Sequence, residues 1–239
     1  MEKTRTIRTW GSFLLLLLLL FVFLIWNVLA GSVKLPVSEI LEILRGRGDG
    51  TQSRILLQIR LPRLLSALIL GGALSVSGYL LQTFFHNPIA GPFVLGISSG
   101  AKLCVSIVMI LLLSRGLVSS SAVLIAAAFV GAMGSMGFVL AVSQKVKRMS
   151  LLVICGVMIG YICTAATDLL VTFADDSNIV NLHNWSMGSF SGMSWENVRT
   201  MALVCGAALV LSFFLSKPIR AYQLGEVYAQ NMGVALKAF

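Results

Sequence analysis

Six long apolar runs, at about residues 12–33, 63–84, 93–114, 118–143, 150–173 and 195–216, alternate with short polar connections. Each is close to the ~20 residues that an α-helix needs to cross a bilayer. Spanning segments must satisfy their backbone internally, so the pattern predicts an all-α, polytopic transmembrane helical bundle. The first run follows Lys3, Arg5 and Arg8, and Val28-Leu29-Ala30 resembles a signal cleavage site. Its apolar stretch exceeds the roughly 7–15 residues of a signal peptide. Further spans follow it, so it reads as a retained helix.

The connections carry their own signals. Asn87-Pro88 and Gly91-Pro92 break the helix between the second and third runs. VSEILEIL, Val37 to Leu44, predicts one amphipathic helix, followed by a Gly-rich turn at Gly46–Gly50. Residues 174–194 begin Asp175-Asp176-Ser177 and end NWSMGSFSGMSW. That stretch is too polar to span and predicts a short helix and a turn. The last apolar run stops at Lys217-Pro218, and LGEVYAQNMGV follows, Leu224 to Val234. Here Glu226 falls in the first turn of a small displayed helix, where the helix dipole favours an anion. Gly233 falls where a C-terminal cap belongs. Leu224, Val227 and Tyr228 share a face by i, i+3, i+4 spacing. Two readings fit such a helix: a groove on a partner protein, or a tail on the membrane surface.

Composition agrees with a membrane protein: 57% of residues are hydrophobic and 11% charged in 239. Soluble domains carry roughly 25% charge. The net charge of +9 is scattered through short loops. No basic stripe with interleaved aromatics exists, so nucleic acid is not a partner, and anionic membrane lipid is. Lys145, Lys147 and Arg148 cluster between two spans and favour a cytoplasmic N-terminus. Lys34, Arg45, Arg47, Arg54, Arg60 and Arg63 then lie outside, an excess that an acidic partner would explain.

Catalytic chemistry is sparse. There is no GxxxxGK[ST] phosphate loop and no HExxH spacing. Cys104, Cys155, Cys163 and Cys205 lie in apolar runs without a CxxC pair and read as small hydrophobes, so no metal site is expected. Gly96-Ile97-Ser98-Ser99-Gly100 matches the G-x-S-x-G of serine hydrolases, but it opens a spanning helix and no strand precedes it. The alternative for Gly96/Gly100 and Gly156/Gly160 is close helix packing. Lys102 and Asp168 lie within or near spans: Lys102 reads as snorkelling, and Asp168 as facing a water-filled path or the interface. A secondary transporter or channel would use such charges.

Three motifs stand in order: RLPR at Arg60–Arg63; QTFFHNPIAGPFVLGISSGA at Gln82–Ala101; and LGEVYAQNMG at Leu224–Gly233. WSMGSFSGMSW, Trp185–Trp195, lies between the last two. Together they resemble the FecCD-type permeases, membrane subunits of binding-protein-dependent ABC importers for ferric siderophores, haem and vitamin B12. The resemblance implies a single permease domain over 1–239, with 217–239 as a cytoplasmic coupling segment, in the bacterial inner membrane. It implies that Leu224, Gly225, Glu226, Ala229 and Gly233 engage cytoplasmic ATPase subunits. It implies that Arg60 and Arg63 meet acidic residues of a periplasmic or lipid-anchored substrate-binding protein. Gln82, Asn87 and Pro88 match the inner turn. Trp185, Met187, Gly188 and Gly192, with Asp168, match the outer gate and pathway. A second permease copy completes the path, and the subunit needs no cofactor and does no bond chemistry itself. The family has ten spans, so a truncated product or a second completing polypeptide is expected. A ferric siderophore is the first choice of cargo, with haem and cobalamin as the others.

Overall fold

A computed structural model describes residues 2–48, 50–89, 91, 93–113, 121–145 and 149–234, excepting the side chains of 2–5, 113, 121, 149, 150 and 226. Pro92, Arg115, Lys147, Arg148, Lys237 and the side chain of Glu226 therefore lie outside the described residues. The described residues are helical throughout their regular structure. They form α1 (Glu2–Leu29), α2 (Val37–Leu44), α3 (Thr51–Arg54), a π-helical turn (Ile55–Arg60), α4 (Leu61–Phe84), α5 (Ile97–Leu113), α6 (Ser121–Ser143), α7 (Met149–Thr172), α8 (Asp176–Met187), α9 (Trp195–Phe214), α10 (Ser216–Gln223) and α11 (Glu226–Asn231). Among the described residues five helices are long and apolar enough to cross a membrane; α5 is a shorter apolar helix. The chain divides into two compact units, residues 1–73 with 190–210, and residues 74–189 with 211–239.

In the first unit the second predicted span begins earlier than expected. Helix runs without a break from Thr51 to Phe84. The expected start was about residue 63. Instead Pro62 lies in α4, just after the π turn Ile55–Arg60. A proline ring clashes with the carbonyl four residues back in a regular α-helix, and a wider turn relieves that clash. The Trp195 indole N–H donates to the Leu57 carbonyl inside this turn, at 2.8 Å. The predicted helix Val37–Leu44 forms with those bounds and buries Ile40 and Ile43 against Leu35 and Leu56.

In the second unit α5 crosses α6 and α7 through glycines. A Cβ on Gly96 would lie 2.7 Å from the Gly156 carbonyl oxygen and 2.8 Å from the Gly160 nitrogen. Gly100 faces the Gly131 backbone and Ser135 in the same way. The glycines of the hydrolase-like pattern are thus used at helix crossings. Close backbone approach of this kind is how membrane helices gain packing without a hydrophobic drive between them. Gly96 also has φ +69°, so α5 starts at Ile97, four residues later than the expected 93. Ser99 faces Thr164 of α7, hydroxyl to hydroxyl at 3.5 Å.

Candidate functional site

Arg60 closes the π turn and is only 7% exposed. Its Nη1 donates to the carbonyls of Val28, at 2.5 Å, and Leu29, at 3.3 Å, and its Nη2 to that of Val33. Val28 and Leu29 end α1, where carbonyls lack intrahelical partners and the dipole favours a cation. Gly31 leaves room for the guanidinium: a Cβ there would lie 2.9 Å from Arg60 Cζ. Arg60 therefore caps α1 instead of displaying its charge. Arg63, one turn on, is half-buried, and its Nε is buried without a hydrogen-bond partner. Arg60→Ala should lower thermal stability in detergent by about 2 kcal/mol, because it leaves part-buried carbonyls at the end of α1 unpaired. Arg60→Lys should recover little, since an ammonium lacks the fork that reaches separate carbonyls.

The terminal segment is a short helix with defined ends. Gly225, φ +113°, precedes α11. Gly233, φ +83°, follows it. The Gly233 N–H donates to the Gln230 carbonyl at 2.9 Å, and the Val234 N–H to that of Ala229 at 3.0 Å. That pair of bonds is a Schellman closure, in which the left-handed position favours glycine. Ala229 is fully buried, whereas Leu224, Val227, Tyr228 and Met232 are exposed, Val227 at 73%. The helix thus turns one small residue inward and presents an apolar surface. Sequence reasoning missed α10, which precedes it. Lys217-Pro218 read as a stop, but Pro218 sits in the first turn of α10, where a missing N–H costs nothing.

The turn after α4 has the same closure. The His86 N–H donates to Thr83 O at 3.2 Å and the Asn87 N–H to Gln82 O at 3.1 Å. His86 occupies the left-handed position, φ +47°. Asn87 Oδ1 accepts from the Ile89 N–H at 2.9 Å, an Asx turn that carries the chain past Pro88. The expected residues Gln82, Asn87 and Pro88 therefore build one turn. Three contacts beside it had no signal of their own in the sequence. The His86 ring lies 5.0 Å from that of Tyr222. Gln223 Nε2 donates to Tyr79 Oη at 2.8 Å and to Thr83 Oγ1 at 3.1 Å.

The aromatic–glycine stretch begins in α8. Trp185 packs on the cluster of Val105, Met109 and Leu182, while Met187 is exposed. Gly188, φ +72°, ends the helix. Around Gly188 and Gly192 a Cβ would find open space among the described residues. Asp168 is exposed on α7, and Lys102 is half-buried on α5.

Comparison with known proteins agrees with this architecture. The chain is 33% identical over 238 residues to the vitamin B12 import system permease protein BtuC of Klebsiella pneumoniae, covering 98% of this chain and 67% of that protein. It is 32% identical over 184 residues to the hemin transport system permease protein HmuU of Yersinia pestis, covering 77% of this chain and 55% of that protein. It thus spans between about half and two thirds of the length of these relatives. A solved structure of a metal-chelate type ABC transporter in an inward-facing conformation matches with TM-score 0.78 and 26% identity, over 93% of this chain and 68% of that one. The model of the FecCD transport family matches residues 17–239. Glycine-packed apolar helices, ordered motifs and near-complete coverage converge, and this chain belongs to the FecCD transport family.

Proposed function

We propose that the chain is the membrane-spanning permease subunit of an ABC importer for a metal chelate, coupling ATP hydrolysis on separate subunits to translocation. The observation that carries the reading is the closed helix α11, with an exposed apolar surface, joined through α10 to the last span. Two glycines fix its ends, and Ala229 fixes which side faces inward. A helix so displayed suits a groove on an ATPase subunit. Leu224, Gly225, Glu226 and Gly233 form that contact, and Ala229, buried beneath the helix, seats it. Six crossings, counting α5, return the chain to the side on which it starts, so the N-terminus and residues 217–239 share the cytoplasmic side of the bacterial inner membrane.

The RLPR segment faces the substrate-binding protein. Arg63 keeps an unpaired Nε, and a carboxylate would satisfy it. Arg60 joins it by exchanging separate carbonyls for a carboxylate, whose two oxygens match the guanidinium fork. Trp185, Met187, Gly188 and Gly192 form the outer gate, and Asp168 lines the path beside a second permease copy. The whole of residues 1–239 acts as one permease domain. A ferric siderophore is the favoured cargo, and it falls within the metal-chelate type for which the solved relative is named. The sequence relatives are named for vitamin B12 and hemin.

Uptake of labelled ferric siderophore, hemin and cobalamin in cells with and without the chain tests this. ATP-dependent accumulation of one of them, lost on Glu226→Lys, is the expected result. Accumulation driven by an ion gradient and indifferent to ATP depletion would refute the reading.

A further inference from the structure

The strongest unexplained cluster lies where α10 meets the end of α4, within the second unit. Tyr222 is 7% exposed and lies against His86. His86 holds a left-handed backbone that costs any residue with a Cβ. Such a residue persists where its surroundings over-determine it. Next to it Gln223 gives both amide protons to α4 hydroxyls, Tyr79 at 2.8 Å and Thr83 at 3.1 Å. Tyr79 and Thr83 are four apart and so share one face of α4. Gln223 is also the last residue of α10, two residues before Gly225 and α11.

We infer that Tyr222 and Gln223 form a strap that makes α10 and the end of α4 one rigid piece. A displacement of α11 then moves the end of α4, while residues 224–234 alone contact the ATPase. Tyr222 and Gln223 are positioning residues in this account. A primary amide suits the task because it supplies two donors in one plane to two acceptors. The aromatic contact adds area and fixes the azimuth of α10. The inference rests on the reading of α11 as the ATPase contact.

Two experiments test it in cells carrying the transporter. The first removes the acceptors, Tyr79→Phe with Thr83→Val, or the donor, Gln223→Ala. Uptake should fall about tenfold, within the usual range of coupling energies, while ATPase co-purification and ATP hydrolysis stay within about twofold. Combining the changes should cost no more than Gln223→Ala alone. Equal loss of ATPase association would show mere structural support, and unchanged uptake would remove the strap; either overturns the inference. The second uses a background with Cys104, Cys155, Cys163 and Cys205 replaced, in which Thr83→Cys and Gln223→Cys are joined by a short bifunctional thiol reagent. Both substitutions remove the native contact, so uptake should start about tenfold low and rise on joining. Loss on joining and recovery on reduction would mean that the contact opens during transport, which contradicts a rigid strap. If the unmodified chain fails to bind any ATPase, the reading of α11 itself fails, a result distinct from either of these.

Discussion

Gly96→Ala should remove most of the folded protein from the membrane. The methyl would meet the Gly156 carbonyl at 2.7 Å and the Gly160 nitrogen and Ile159 Cγ2 at 2.8 Å. Two of these are backbone atoms, so neither can swing aside. The left-handed φ at Gly96 adds roughly 1–2 kcal/mol for any residue with a Cβ. Overpacking adds about 1–3 kcal/mol more. The sum, about 2–5 kcal/mol, is a large fraction of the roughly 5–15 kcal/mol that holds a typical fold, and a marginal protein unfolds on such a loss. The glycines also predict a graded series. Gly160→Ala should be mild, because its Cβ would meet Gly96 Cα at 3.3 Å. Gly134→Ala should be neutral, because nothing among the described residues lies within 4 Å of its Cβ. Thermal melts in detergent, ranked Gly96 worst and Gly134 least, check the order. A flat series would show that these helices do not cross where described.

Val227→Asp should abolish transport without unfolding the protein. Val227 is exposed, so the folded subunit loses little. At the centre of an apolar contact, however, a buried unpaired carboxylate costs several kcal/mol. An interface hot spot of at least ~2 kcal/mol corresponds to about thirtyfold in affinity. Co-purification of the ATPase should fall by at least that factor, and uptake with it. Met232→Asp should behave alike, because its side chain is exposed next to the helix end.

Most of the spans, the amphipathic helix Val37–Leu44 and the glycine-closed end of α11 at Gly233 were legible because each rests on local rules. Hydrophobic run length shows a span, and glycine after a polar turn shows a helix end. The π turn was not legible. Pro62 could mark a helix start or a widened turn, and only the partner of Leu57, Trp195, distinguishes them. Helix α10 was missed for a related reason: a proline reads as a stop or as a first-turn residue by its context. Of the candidate residues, Gln82, Asn87 and Pro88 are gathered into one turn. Arg60 was read as a displayed charge, and the structure turns it onto the end of α1. A lone arginine beside a proline carries no mark of an unpaired helix terminus 31 residues earlier in the chain. The contact of Gln223 with Tyr79 and Thr83 spans 144 and 140 residues and has no periodic signature. His86 was the available clue, since it stands where a Schellman closure prefers glycine.

Crosslinking from the exposed side of α11 tests the whole account most directly. A cysteine at Val227, in a background without the native thiols, would carry a photoactivatable group in intact cells. An ATPase subunit should be captured, and an impermeant thiol reagent added outside should fail to block the capture. Labelling of that position from outside, with no ATPase captured, would contradict the assignment of this helix as the handle through which nucleotide hydrolysis moves the permease.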